Sequence, residues 1–265
     1  MMRKPLAIIR SDYFDDYKNS VRINVRKSFE RIRKIIIKPD TFTFYTSVSV
    51  ATSSRIEGEP VEIDTYVKHK LYKKRYLPGL LQKPNDLYEA YIFAQKKSLN
   101  LLTFLEVHKK ISAHLLPVSL RGRIRVNPMV IVNEKGQIQY EAAPPSLVNN
   151  ETQKLFSDIR TLVKSKLSVE EIFYYASFIH LVFVKIHPFE DGNGRAGRLL
   201  EKWFLAECLG KMAWCIESEK HYYRHLKKYY HNLARLGFSY EGLNYDKCIP
   251  FLLMLPCALK YTDVE

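Results

Sequence analysis

Glycine is scarce in this chain, ten in 265 residues, and no unit of about 20 to 50 residues recurs. Glycine-rich linkers and solenoid arrays are thereby excluded. The four cysteines (Cys208, Cys215, Cys248, Cys257) form no CxxC pair. They are too few for a disulfide scaffold and lack zinc-site spacing, which points to a reducing compartment. The longest uncharged apolar stretch, 248–259, contains two prolines and falls short of the roughly 20 residues that span a bilayer. Near the start, an apolar run of four is followed at once by acids, so no secretory h-region is present. These absences predict a soluble, cytoplasmic protein with no membrane partner. Acidic residues are also in deficit: 42 Lys and Arg stand against 28 Asp and Glu, for a net charge of +14. Such a balance favours polyanionic partners without choosing among them.

What is present is an ordinary globular composition, 46% hydrophobic and 26% charged, in a length that allows one large domain or two small ones. The fold class read from the pattern is mainly α. Residues 18–36 place apolar groups at helical spacing with basic residues between them. Residues 43–55 are rich in Thr, Ser and Val, so a helix there must be held by tertiary packing. The Pro-Gly and Pro signals at 78–85 predict a loop dividing an N-terminal helical region, 1–84, from a core of 85–240 and a C-terminal helical tail, 241–265. Residues 85–98 and 101–115 read as two further helices. Residues 123–132 and 137–141 alternate and are β-branched, with Asn-Glu-Lys-Gly between them, which predicts a hairpin. A lone hairpin in a helical protein supplies little core, and it is read as a mobile flap. Ser168 with Glu171 forms a capping box before a helix apolar almost all round and therefore buried. That helix stops before Pro188, and another runs from about Gly194 to Gly210.

The chemistry lies between those two helices, in HPFEDGNGRAGR at 187–198. Gly192 and Gly194 let backbone N–H groups turn toward one point, and the next helix adds its own free N–H groups and positive dipole end, which makes an anion site. Arg195 and Arg198, three apart, share a face. Their charge opposes the dipole, a mismatch that a bound phosphate relieves. Asp191 among these groups suits a Mg²⁺ ion beside phosphates. His187 suits general base work near neutral pH.

This string resembles the HPFx[D/E]GNGRxxR signature of Fic-domain proteins without departure. The resemblance implies a Fic-type helical bundle with a β-hairpin flap, and transfer of AMP from ATP to a Ser, Thr or Tyr hydroxyl of a target protein. It implies His187 as the base, Asp191 as the Mg²⁺ ligand, and Gly192, Asn193 and Gly194 as the phosphate cradle. Arg195 then stabilises the leaving pyrophosphate, Arg198 reaches the γ-phosphate, and Phe189 anchors the loop in the core. The segment 122–145, from Gly-Arg-Ile-Arg to Pro-Pro, resembles the flap that pairs with the target backbone. Ser218, Tyr229, Tyr230 and Leu233 are similar to the adenine-side helix, with His225 where that helix often has Asn.

Far upstream, Ser53, Glu57 and Gly58 in SSRIEG resemble the family's [S/T]xxxE[G/N] inhibitory motif. By that resemblance Glu57 pairs with Arg198 in the γ-phosphate place, giving a member autoinhibited from an N-terminal helix; removal of AMP with Glu57 orienting water is left open, as is a homodimer. Relatives that transfer phosphoryl groups carry lysine for the second glycine, against which Gly194 argues. The competing reading is a nucleic-acid-binding or toxin-like regulator using the basic, tyrosine-rich residues 220–235. Specific nucleic-acid recognition is not expected.

Overall fold

The computed structural model describes residues 5–74, 78–133 and 135–261. In chain order the helices are α1 (Phe14–Ser20), α2 (Val25–Arg33), α3 (Thr41–Ile56), α4 (Ile63–Tyr72), α5 (Gln82–Ala94) and α6 (Leu101–Ile111). A hairpin, β1 (Val130–Val132) and β2 (Ile138–Glu141), follows. Then come α7 (Pro145–Val163), α8 (Val169–Ile186), α9 (Asn193–Leu209), α10 (Ser218–Arg224), α11 (Leu226–Ala234), α12 (Ile249–Leu252) and α13 (Met254–Ala258). The fold is a helical bundle with one antiparallel hairpin, in agreement with the sequence.

The centre of the bundle is α8. Ser168 Oγ accepts from the Glu171 N–H at 3.2 Å and the Glu171 carboxylate accepts from the Ser168 N–H at 2.8 Å, the expected capping box. From Ile172 to Phe183 every α8 side chain is buried, and α7, α9, α12 and α13 pack around it. Buried side chains from Ile9 to Leu259 join one continuous core, so all three sequence regions contribute to it.

Helix α3 runs through this core although its residues are weak helix formers. Thr46 through Ser54 are all buried. Two of their hydroxyls are satisfied locally: Ser47 Oγ donates to the Thr43 carbonyl at 2.6 Å and Thr52 Oγ1 to the Val48 carbonyl at 2.7 Å. Small side chains bonding back to the preceding turn let α4, α5 and α10 pack closely on α3.

Several boundaries differ from the sequence reading. The single helix expected over 18–36 is two, because the chain turns at 21–24 and Asn24 caps a new start, its Oδ1 accepting from the Lys27 N–H at 2.8 Å. The loop expected at 78–85 is a 3₁₀ turn at 78–80, and α5 already begins at Gln82. Pro84 sits in the first turn of α5, where its missing N–H costs nothing. Ladder pairing in the hairpin is confined to 130–132 and 138–141, with an irregularity between Ile131 and Val132. Residues 123–129 serve another purpose described below. Of the expected turn at 133–136, Glu134 lies outside the described residues; the Gly136 N–H donates to the Asn133 carbonyl at 2.9 Å. Nor does the hairpin stand alone. The Glu141 N–H donates to Phe238 and the Tyr240 N–H to Glu141, at 2.8 and 2.9 Å, so the outer side of β2 is engaged at Glu141, while among the described residues β1 pairs with β2 alone. Among the described residues no helix is long and apolar enough to cross a membrane.

Candidate active site

Helix α8 ends at His187, which adopts a left-handed conformation, φ 55°, because Pro188 forbids another helical turn. Its Nδ1 lies 3.2 Å from the Val184 carbonyl and donates to it, leaving the Nε2 lone pair unprotonated. Burial holds the imidazole pKa down to about 4; the Arg125 charge acts in the same sense, while the Val184 carbonyl, Glu57 and Asp191 oppose it. His187 is therefore neutral at pH 7, the state a general base requires.

The loop then doubles back. Phe189 is fully buried and stacks on His108, ring centroids 3.5 Å apart. Asn193 Oδ1 accepts from the Phe189 N–H at 2.9 Å and its Nδ2 donates to the Phe189 carbonyl at 2.7 Å. The Asn193 side chain, placed by the sequence among the cradle residues, is thus spent on closing the loop, and only its main-chain N–H remains to offer an anion. Gly192 caps α9 at φ 81°, and Asp191 Oδ1 accepts from the Gly192 N–H at 2.5 Å. The Asp191 carboxylate is half exposed, 51%. One accessible carboxylate beside an anion site fits a Mg²⁺ ion that takes its other ligands from phosphates and water. The described residues contain no cluster of three metal-binding side chains.

At the start of α9 the backbone is crowded by a carboxylate. A Cβ at Gly194 would clash with Glu57 Oε1, so any side chain at this position would displace Glu57. The carboxylate rests where the helix N–H groups and dipole favour negative charge. Its partner is Arg198, 1% exposed, whose Nη2 donates to Glu57 Oε1 at 2.6 Å and to the Ser53 carbonyl at 3.2 Å, while Nε donates to Ser53 Oγ at 2.9 Å. Burial disfavours the Glu57 charge, but Arg198 and Arg195 outweigh it and hold the carboxyl below its usual range. Gly58, at φ 81°, turns the chain after α3 so that the next acid also faces α9. Glu59 Oε1 lies 3.8 Å from Arg195 Nη1 and 2.9 Å from Lys83 Nζ. Arg195 is buried with Nε and Nη1 lacking hydrogen-bond partners. Orphaned donors on a buried cation are rare, and phosphate oxygens are acceptors of the right charge for them.

Tyr229 and Tyr230 part company. The Tyr229 hydroxyl lies 3.1 Å from His180 Nε2, inside a network in which His180 Nδ1 and the Tyr222 hydroxyl both meet Glu201 Oε2. At 2% exposure, the Tyr229 ring is closed off from solvent, but its hydroxyl also meets Arg198 and so supports that side chain from beneath. Tyr230 is exposed, and its hydroxyl donates to the Ile56 carbonyl at 3.3 Å, touching the end of α3. His225 breaks the expected continuous helix into α10 and α11. Since Tyr222 and Tyr229 are in the core, residues 220–235 lose two of the rings that a nucleic-acid stacking surface would use.

Three participants carry no local sequence signal. His108, on α6, accepts from the Gly122 N–H at Nδ1, 3.0 Å, and so donates from Nε2 to the Asp191 carbonyl, 2.9 Å; burial lowers its pKa to about 4. Lys202 Nζ donates to Ser49 Oγ at 2.5 Å and to Glu219 Oε2, while Tyr91 donates to Glu219 Oε1 at 2.5 Å. That buried set ties α3, α5, α9 and α10 together one turn below Arg198. The third is Arg125, treated below.

Residues 98–205 match the sequence profile of the Fic/DOC family. Protein adenylyltransferase Fic of Drosophila erecta is 31% identical over 123 residues, 45% of this chain but 23% of that protein, so the chain matches under a quarter of that relative's length. The fold is similar to a Fic family protein from Desulfovibrio desulfuricans G20, TM-score 0.75 at 18% identity over 97% of this chain and 74% of that one. It is also similar to a Fic domain-containing signaling protein from Bacteroides thetaiotaomicron, TM-score 0.66 at 16% identity, covering 89% and 92% of the two chains. Fic-1 of C. elegans gives 0.60 at 16%, covering 94% and 67%.

Proposed function

We propose that this chain, whose residues 98–205 match the Fic/DOC family, is a protein adenylyltransferase held in check by Glu57. The observation that carries the reading is a neutral His187 beside a helix N-terminus whose buried Arg195 keeps two unsatisfied donors. In the proposed reaction a target hydroxyl attacks the α-phosphorus of ATP. The O–P bond forms as the bond to the β-phosphate oxygen breaks, pyrophosphate leaves, and the hydroxyl proton passes to His187 Nε2. The N–H groups at Asn193 and Gly194 receive phosphate oxygens, that of Gly192 joins them once it leaves the Asp191 carboxylate, Arg195 meets the charge growing on pyrophosphate, and Arg198 binds the γ-phosphate. Such positioned donors act mainly by placement and charge stabilisation. Asp191 would hold Mg²⁺, which supplies neutralisation of phosphate charge. The target would add a strand to the open β1 edge, whose Val130 and Val132 are exposed.

Inhibition follows from competition. The Glu57 carboxylate occupies Arg198 and the face of Gly194, so a γ-phosphate and Glu57 exclude each other. The supporting test is His187→Ala: ATP binding by calorimetry should persist, while transfer to any hydroxyl should fall by roughly 10²- to 10⁴-fold. Unchanged transfer would remove His187 from the chemistry.

A further inference from the structure

Arg125 is 3% exposed, and every bond shown for its side chain ends on a main-chain carbonyl. Nε donates to His187 at 2.7 Å, Nη1 to Asn127 at 2.6 Å, and Nη2 to Ala143 at 2.6 Å and to Ile186 at 3.3 Å. Its own N–H donates to the Pro188 carbonyl at 2.9 Å. The guanidinium therefore joins both legs of the hairpin, at Asn127 and Ala143, to Ile186 and His187, and the main-chain N–H of the same residue adds Pro188. A lysine could not do this, because only the planar fork offers several donors at fixed angles.

The same junction is fastened at its margins. Gly122 is bonded to His108, Asn127 Nδ2 donates to Glu190 Oε1 at 3.0 Å, and the Tyr140 hydroxyl donates to the Lys185 carbonyl at 2.9 Å. Left-handed backbone at a residue other than glycine persists only where its surroundings over-determine it. At His187 the carbonyls on either side of the residue, as well as its own, are all held by Arg125.

We propose that Arg125 is a positioning residue that fixes the register between the hairpin and His187, and so decides where a hydroxyl carried by a strand on β1 arrives relative to Nε2. The inference rests on the AMP-transfer reading. It also replaces the expectation of a free flap with one in which hairpin and base move as a unit.

The test uses the full chain with Glu57→Gly as the active background. Arg125→Lys keeps the charge and loses the fork, and self-labelling should drop by roughly 10²-fold, the scale of a misplacement near 1 Å. The Kd for ATP should stay within about twofold, since Arg125 touches no cradle residue. Arg125→Gln loses the charge as well. With Glu57 already replaced, the groups left around His187 are Asp191 and the Val184 carbonyl, both of which favour its protonation. The acid limb of the pH–rate profile should therefore move up for Gln and stay in place for Lys. Labelling by Arg125→Lys as fast as the background would overturn the proposal; absence of labelling in the background itself would instead count against the transfer reading. If neither variant folds, hydrogen exchange on the wild type decides. The Arg125 and Ala142 amides should exchange as slowly as that of His187, and faster exchange of the hairpin pair would overturn the proposal.

Discussion

Replacing Glu57 by glycine removes one strong contact and leaves its partner in place. Arg198 loses a 2.6 Å charge-assisted bond but keeps Ser53 Oγ and the Ser53 carbonyl. The carboxylate is partly open to water, 24% exposed, so the full cost of an abandoned buried ion does not apply. A hydrogen bond to a charged group contributes roughly 1.5–3 kcal/mol. At 1.4 kcal/mol per tenfold, that corresponds to a rise of about 10- to 150-fold in the fraction of molecules whose Arg198 is free for a phosphate. The assay is self-labelling with α-labelled ATP, compared with the wild type at equal concentration. A second reading accompanies it. Without nucleotide the variant should melt at a lower temperature than wild type, and ATP should restore more of the loss than it adds to wild type, because a phosphate then replaces the missing carboxylate. If labelling does not rise in a folded variant, and ATP raises the two melting temperatures equally, the competition between Glu57 and the γ-phosphate does not exist.

Glu59→Gln should raise labelling as well, by a smaller factor than Glu57→Gly, because its contact with Arg195 is 3.8 Å and shared with Lys83; an equal or larger rise would show that Glu59 is the main restraint. Tyr229→Phe should cost about 1 kcal/mol of stability from the lost hydroxyl bond and, because that hydroxyl also meets Arg198, should weaken ATP binding several-fold; unchanged affinity by calorimetry would show that Tyr229 does not support the Arg198 contact. Two histidines predict an acid instability. Folded His108 and His187 titrate near 4 against an ordinary 6.5, so the unfolded chain binds more protons and stability falls as pH drops from 6.5 towards 4. The slope of melting temperature with pH should flatten in His108→Asn, and an unchanged slope would mean that His108 does not titrate in this way.

The twelve residues 187–198 could be read in sequence because their chemistry is local: glycines at a turn, arginines one helical turn apart, a proline that stops α8. Glu57 and Ser53 could be placed only through the motif they resemble, since nothing in the spacing of α3 says that its end meets a helix about 140 residues later. Asn193 and Tyr229 show the limit of that resemblance. A motif supplies residue types, and burial decides which atoms face outward. For Asn193 the side chain is spent on Phe189; for Tyr229 the ring is buried against His180 and only the hydroxyl reaches Arg198. Arg125 and His108 were invisible for a related reason. Each acts on main-chain groups, and a carbonyl acceptor leaves no mark in the amino-acid sequence. The boundaries that shifted, at 21–24 and at Gln82, lie where a side-chain cap or a proline in a first turn could serve either a loop or a helix start.

Transfer of the nucleotidyl group by a site that Glu57 restrains is the proposed function. Its most direct test is to incubate Glu57→Gly separately with α-labelled and γ-labelled ATP and to analyse the chain by mass spectrometry. Covalent label should come from the α-position only, with a mass gain of one AMP unit that disappears in the Glu57→Gly, His187→Ala double variant. Label from the γ-position, or an adduct that survives loss of His187, would contradict that function.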